Sequence, residues 1–149
     1  MRTGVKVGMS QKNLVLILAR DLADKLASAV FVVDRDGKLA YFNERAGEIL
    51  GMSFAEAGHM PMQEWGTRFK PTDGDGRELA PDDLPLAVAL RERHPDHSSF
   101  SILDHEGRQR DIKVTAMPLF ATWSEFVGAI AMFWEDRPPD MPPSTPETP

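Results

Sequence analysis

Cysteine is absent from this 149-residue chain. Without a thiol there is no disulfide framework, no zinc site built on thiolates and no thiol nucleophile. This absence fits a reducing compartment, and we expect a cytoplasmic protein. Excess positive charge is also missing, because 17 Lys and Arg residues against 23 Asp and Glu residues leave a formal net charge of −6. Phosphate binding needs a basic surface, so the charge gives no reason to expect a nucleic-acid partner.

Long hydrophobic runs are lacking as well. The apolar run Leu14–Ala19 follows several basic residues, as in a secretory signal, but it has only six residues and is followed by Arg20 and Asp21. A signal peptide needs roughly 7–15 consecutive apolar residues, and a membrane-spanning helix needs about 18 or more. We therefore expect no signal peptide and no membrane interaction. Translation starts at Met1 or at Met9, and residues 1–10 are expected to form a flexible N-terminus.

The composition is that of one soluble domain. Hydrophobic residues make up 42% of the chain and charged residues 27%, which is typical of globular proteins. A chain of this length can bury a single core.

Residues 11–27 are predicted to form an amphipathic helix. One apolar stripe recurs at helical spacing: Val15, Leu18, Leu22 and Leu26. Further apolar residues lie outside that stripe: Leu14, Leu16 and Ile17. A helix that is apolar on more than one face requires more than one partner. Either the helix packs only on its own domain, or one face covers the domain while another pairs with a second subunit. We favour the second interpretation, and the candidate contacts of this homodimer are Leu14, Val15, Ile17, Leu18 and Leu22.

The next stretch combines a strand, a tight turn, a second strand and a helix. The first strand is apolar and rich in β-branched residues, and the turn contains the Gly that a hairpin requires. Asn43 is placed to cap the helix, and Gly51 is placed to end it. The predicted segments are strand Ala29–Val33, turn Asp34–Gly37, strand Leu39–Phe42 and helix Glu44–Leu50.

The middle of the chain is predicted to contain short helices and a loop. Ser53 and Glu56 fit a capping box, and Met60–Trp65 is a further helical turn. The loop Thr72–Arg77 carries alternating acidic residues, but it lacks the closing Glu of an EF-hand calcium site. Asp83–Arg93 is predicted to be a longer helix, with acidic residues at its start and basic residues at its end.

Three strands are predicted in the last third of the chain. Alternation of apolar and polar residues indicates one buried and one partly exposed face. The turn Asp104–Gly107 joins the first two of these strands. The predicted strands are Ser98–Leu103, Arg110–Leu119 and Phe126–Trp134.

The order of these elements resembles that of a PAS domain, a sensory module of bacterial signalling proteins. The resemblance covers residues 11–136. It is carried by the spacing of Asn43, Ala46 and Gly51 and by three later phrases: DGRELAPDDLPLAVALR, DHEGRQRDIKVTAMPL and GAIAMFWED. It implies an α+β fold in which a five-stranded antiparallel sheet carries short helices on one face and is preceded by the N-terminal amphipathic helix. Residues 28–136 would form this domain, which in the family is a sensor and docking platform and seldom an enzyme.

The family's cofactors are not expected here. Its flavin and hydroxycinnamate light sensors need a Cys, which this chain lacks. Its haem sensors present a His from the long helix, whereas His94 and His97 follow that helix and are weak haem candidates. His59 and His105 lie in predicted loops without a partner at metal-ligand spacing, and no Ser-His-Asp arrangement is visible. We therefore expect no flavin, no haem, no metal and no enzymatic activity.

Strand parity and the helix pattern define a candidate interior. Ala129 and Ala131 are small for core strands and leave room either for a ligand or for Trp65 and Phe100. No Lys or Arg is offered on these faces, so any ligand should be mainly apolar, with one hydrogen bond from Tyr41. The candidate pocket residues are Phe31, Val33, Tyr41, Ile49, Leu50, Trp65, Leu86, Leu90, Phe100, Ile102, Ile112, Val114, Ala129 and Ala131.

The final segment, Arg137–Pro149, has six prolines in 13 residues and is predicted to be a disordered tail. Family members often continue here into an output domain, and we expect none in this protein. We therefore expect a stand-alone bacterial module that dimerises, docks on a separate signalling protein and responds to a small apolar ligand. Two alternatives stay open: a small-molecule carrier, and an interaction domain with a filled core and no ligand.

Overall fold

The structure, a computed structural model, describes residues 11–122 and 124–136. The predictions for residues 1–10 and 137–149 lie outside the described residues. None of the described helices is both long and apolar enough to span a bilayer. In chain order the elements are α1 (Gln11–Lys25), β1 (Ala29–Asp34), β2 (Leu39–Phe42), α2 (Glu44–Leu50), α3 (Phe54–Ala57), α4 (Met62–Arg68), a 3₁₀ turn (Pro81–Asp83), α5 (Pro85–Glu92), β3 (Asp96–Leu103), β4 (Gln109–Thr122) and β5 (Glu125–Glu135).

The five strands form one antiparallel sheet in the order β2-β1-β5-β4-β3. Strand β5 lies at the centre, between β1 and β4, and β1 pairs with β2 on its other side. The strands β3, β4 and β5 follow one another as a meander. The expected α+β class and the five-stranded antiparallel sheet are confirmed. Strands β4 and β5 are longer than predicted, since their hairpin continues to the pair Thr122–Glu125.

The sheet has two differently covered faces. The inner face carries alternate residues such as Ile112, Val114 and Ala116, and it packs against helices α2, α4 and α5 in the main core. The outer face carries Val30 and Val32, and helix α1 packs on it. The short helices therefore lie on one face, as expected, and the N-terminal helix covers part of the other.

The caps of the first short helices are as predicted. The Asn43 side chain accepts a hydrogen bond from the Ala46 amide at 3.0 Å, and α2 ends where Gly51 adopts a φ of 81°. This left-handed conformation costs a residue without a Cβ little. Ser53 and Glu56 form the predicted capping box at the start of α3.

The predicted helix Asp83–Arg93 is wrong at its start. Leu84 is extended, with φ −75° and ψ 145°, because a proline at the next position disfavours the helical conformation of the residue before it. The segment is therefore split into the 3₁₀ turn and α5. The helix α4 also lies later in the chain than the predicted turn Met60–Trp65, since Pro61 precedes its first residue.

Helix α1 does not bury the apolar stripe that begins at Val15 and continues through Leu18 and Leu22. It contacts the outer face through the buried residues Ala19 and Ala23, with Leu16 half-buried beside them. Leu18 and Leu22 point to solvent instead. The sequence pattern identified an amphipathic helix, but the small residues between its leucines form the face that packs on the sheet.

Candidate functional site

A small apolar cavity lies between the inner face of the sheet and the helices. Its volume is about 90 Å³. The strands β1, β3, β4 and β5 supply one wall, because alternate side chains of a strand point to the same face. The opposite wall comes from helices α2, α4 and α5 and their flanking segments. The lining residues are Phe31, Leu50, Trp65, Phe69, Pro71, Leu84, Pro85, Leu86, Phe100, Ile102, Ile112, Val114, Ala131 and Phe133.

An aromatic cluster borders this cavity through Phe31 and Trp65. The ring of Phe31 stacks on that of Phe42 with centroids 5.8 Å apart, and Trp65 meets Phe31 edge to face at 5.7 Å. The indole Nε1 of Trp65 donates a hydrogen bond to the Gly37 carbonyl at 2.7 Å. Because the other lining side chains are aliphatic, proline or phenylalanine, the lining offers a ligand apolar contact and no free donor.

Most of the predicted pocket residues meet at this cavity. Nine of them line it: Phe31, Leu50, Trp65, Leu86, Phe100, Ile102, Ile112, Val114 and Ala131. Four others pack in or against the same core without lining the cavity: Val33, Ile49, Leu90 and Ala129. The two small strand residues therefore differ, since Ala131 borders the cavity and Ala129 is enclosed by other side chains. Whether the cavity binds a ligand stays a prediction.

The placement of Tyr41 in the pocket is wrong. The pairing of β1 with β2 shifts between Val32 and Val33, so that Val32 faces Tyr41 and Val33 faces Leu39. The extra residue, Ala40, reverses the alternation, and Tyr41 lies in the outer cluster beside α1. A bulge of this kind moves every later side chain of a strand to the opposite face.

Five lining residues were missed by the sequence analysis: Phe69, Pro71, Leu84, Pro85 and Phe133. Phe133 has the same parity as Ala131, so the strand alternation would have found it. The other four lie in or beside loops and at the start of α5. No periodic pattern marks such residues, because their positions depend on how the loops fold over the sheet.

Comparison with known proteins gives a clear result for the fold alone. The chain matches no protein-family model and no curated protein sequence. Solved structures do match: the PAS domain of BvgS from Bordetella pertussis has 18% identity and a TM-score of 0.55 over 80% of this chain and 84% of that one. A PAS domain from Colwellia psychrerythraea has 17% identity and a TM-score of 0.57 over 81% of this chain and 96% of that one. This chain has the PAS fold.

A LOV protein is similar to this chain in fold as well. The LOV protein of Rhodobacter sphaeroides aligns with a TM-score of 0.66 at 12% identity, covering 83% of this chain and 68% of that one. Identities this low establish the arrangement of the PAS elements and leave the ligand and the chemistry open. The site must therefore be judged from the residues of this chain.

The histidines lie away from the cavity lining in the described part of the chain. His94 and His97 are both exposed. The His94 ring lies 2.9 Å from the Pro95 carbonyl oxygen and 3.0 Å from a Glu92 carboxylate oxygen. The carbonyl of Pro95, with help from Glu92, raises the pKa of His94. Within residues 11–122 and 124–136, no group of three His, Asp or Glu residues could hold a metal ion.

A buried ion cluster links the β3–β4 turn to the end of β5. The Arg110 Nε donates to Asp104 at 3.0 Å, and its Nη1 lies 3.1 Å from a Glu135 carboxylate oxygen. Burial alone would raise the pKa of Asp104, but the amides of Arg108 and Glu106 and the Arg110 guanidinium together hold it below the usual range. Burial would likewise lower the pKa of Arg110, and its bonds to Glu135 and Asp104 raise it instead.

The exposed side of α1 is the second candidate site. Leu14, Ile17, Leu18 and Leu22 are between 46% and 56% exposed. Residues three and four apart on a helix lie side by side, so these four form one continuous stripe. Val15, the remaining predicted dimer contact, is half-buried. Large apolar side chains that form an exposed patch on a soluble protein mark an interaction surface.

Proposed function

We propose that this protein is a non-enzymatic, cytoplasmic sensory and protein-interaction module that dimerises through α1 and docks on a separate signalling protein. The exposed apolar stripe of α1 carries this proposal. Burying these four side chains between two copies would remove apolar surface from water, at roughly 25 cal/mol for each Å². The PAS fold supports a signalling role by analogy, and the cavity lining offers no titratable group for catalysis.

The dimer is tested by light scattering on the full chain. The unmodified protein should have the mass of a dimer, and Leu18→Glu should shift it to a monomer, because a charge placed in an apolar contact is costly. Leu103→Glu is the matched control, since Leu103 is also an exposed leucine but lies on β3, away from α1. A monomeric unmodified protein, or equal loss of the dimer in both variants, would contradict the proposal.

A small apolar ligand in the cavity is part of the proposed sensing function. The cavity holds about 90 Å³, whereas pockets for drug-sized ligands have roughly 300–1,000 Å³. As folded, the site therefore accommodates a molecule of only a few heavy atoms, such as a short alkyl chain.

The small volume also favours the second candidate, an interaction domain whose core is filled and binds nothing. Two matched substitutions distinguish a ligand-binding cavity from a filled core. Ala131→Leu extends a side chain at the cavity wall, while Ala129→Leu extends one into packed core. In a protein with a functional cavity, the first variant should lose its ligand at little cost in stability, and the second should lose roughly 1–3 kcal/mol from overpacking. Native mass spectrometry of the purified protein reports retained ligand, and none in any preparation would support the filled core.

A further inference from the structure

Helix α1 packs on the sheet through small side chains of its own. Within residues 14–25, the buried residues are Ala19 and Ala23, and Val15 and Leu16 are half-buried. The larger residues Leu14, Ile17, Leu18 and Leu22 are exposed. The stabilisation from burial scales with the apolar area removed from water, and the alanines themselves contribute little of it. Polar contacts add to the attachment of α1 and fix its position.

Asn43 makes the central polar contact. Its Nδ2 donates to the carbonyls of Ala23 at 2.8 Å and Ser28 at 2.9 Å. Its Oδ1 accepts from the amides of Val30 and Ala46, both at 3.0 Å. The last carbonyls of a helix and its first amides lack partners within the helix. One buried side chain therefore caps the C-terminal end of α1 and the N-terminal end of α2 together, which requires an amide with both a donor and an acceptor end.

A second contact on the outer face supports the first. The Tyr41 hydroxyl donates a hydrogen bond to Asp24 of α1. The guanidinium of Arg20, one turn earlier on the same helix, lies 4.6 Å from the centre of the Tyr41 ring. These contacts also join α1 to the segment that leads directly into α2.

The other end of α2 reaches the cavity. Helix α2 has seven residues, so it is about 10 Å long. Its last residue, Leu50, lines the cavity, and Ile49 is fully buried beside it. A short, well-packed helix moves as a unit. A group that enters the cavity and displaces Leu50 will therefore shift Asn43 relative to Ala23 and Ser28.

We infer that Asn43 is a positioning residue that couples occupancy of the cavity to the attachment of α1. An empty cavity leaves the clamp formed by Asn43 and Tyr41 intact and α1 fixed on the sheet. A filled cavity displaces α2, weakens the two bonds donated by Asn43 and releases α1. The consequence for signalling rests on the proposed role of α1 as the dimer helix, whereas the coupling itself does not.

The substitution Asn43→Asp tests the contact with α1 separately from the cap of α2. Aspartate keeps the acceptor for Val30 and Ala46 and is a good helix cap, but it loses both donors and places negative charge against two carbonyl oxygens. Hydrogen exchange followed by mass spectrometry should show amides of α1 exchanging at least tenfold faster, with α2 changed by less than twofold. Leu18→Glu serves as the background, so that dimer contacts do not protect α1. Unchanged α1 exchange would overturn the inference, as would equal acceleration throughout the chain.

The coupling is tested without any ligand by Ala131→Leu, which places three additional carbons at the cavity wall. It should accelerate exchange in α1 at least threefold in the Leu18→Glu background and add nothing further in the presence of Asn43→Asp. Ala129→Leu, away from the cavity, should not accelerate α1 more than the strands. If Ala131→Leu fails to fold, Ala131→Val tests the same point. No effect on α1, or equal effects with and without Asn43→Asp, would refute the coupling. Light scattering tests dimerisation independently of this coupling.

Discussion

Replacing Arg110 with leucine tests the buried ion cluster most directly. The Arg110 side chain is 9% exposed and lies between Asp104, which is fully buried, and Glu135, which is 5% exposed. The substitution removes the guanidinium and leaves both carboxylates in place. Arg108 provides a matched control, since its Nε also lies 3.3 Å from the same oxygen of Asp104, but its side chain is 57% exposed.

The two arginines should differ widely in their effect on the free energy of unfolding. Removing one partner from a buried ion pair costs about 3–5 kcal/mol, because the charge left behind keeps its desolvation penalty. Two amides still donate to Asp104 at 2.9 Å, from Glu106 and Arg108, but Glu135 loses both of its bonds from Arg110. An exposed ion pair contributes about 0–1 kcal/mol. We therefore expect about 3–5 kcal/mol for Arg110→Leu and less than about 1 kcal/mol for Arg108→Leu.

Urea unfolding followed by circular dichroism measures both variants, and thermal unfolding checks them. For a domain of this size roughly 3–5 °C is lost per kcal/mol, so the melting temperature of Arg110→Leu should fall by about 10–25 °C. The pKa of Asp104 is lowered in the folded protein, so its contribution is present at neutral pH and is lost as the pH falls below about 4. Losses within about 1 kcal/mol of each other would refute the role assigned to burial.

Three further predictions concern single side chains. The chain has one tyrosine, and burial, with the hydrogen bond to Asp24, raises the pKa of Tyr41 to about 12. Ultraviolet titration should show this raised pKa, and stability should fall as the pH rises above about 10. A titration midpoint near 10 in the folded protein would contradict the prediction. Gly128→Ala should cost at least about 2 kcal/mol, since its Cβ would lie 2.2 Å from a carbonyl oxygen of β1, and an unchanged urea midpoint would disprove this. Trp65→Phe should cost about 1–2 kcal/mol, since the Gly37 carbonyl loses its 2.7 Å bond, and the same urea assay would show no loss if that bond were unimportant.

The local elements could be predicted from the sequence because their causes lie within a few residues of one another. The cap of α2 by Asn43 and its end at Gly51 are examples, since side-chain capping and a left-handed glycine act over three or four residues. The alternation in β4 likewise assigned Ile112 and Val114 to the buried face. Nine cavity-lining residues followed from this alternation and from the helix pattern.

Two predictions from local patterns failed because another local feature overrode the pattern. Tyr41 was assigned to the wrong face because one extra residue in β2 reverses the alternation, and no composition signal marked that bulge. Leu84 was assigned to a helix although the proline after it favours an extended conformation. For Leu84 the sequence contained the decisive signal, the following proline, but the prediction relied on the helix periodicity instead.

What the sequence alone determined is therefore the order of the elements, their caps and turns, and the face of most strands. Only the tertiary structure decided which side of α1 packs on the sheet, because Ala19 and Ala23 fit against it more closely than larger side chains can. It also decided the cavity volume of about 90 Å³, which is the small difference between the space inside the core and the side chains that fill it. The second pair of bonds made by Asn43, to carbonyls 20 and 15 residues earlier, arises in the same way. Such contacts join segments distant in the chain, so they exist only once packing has brought those segments together.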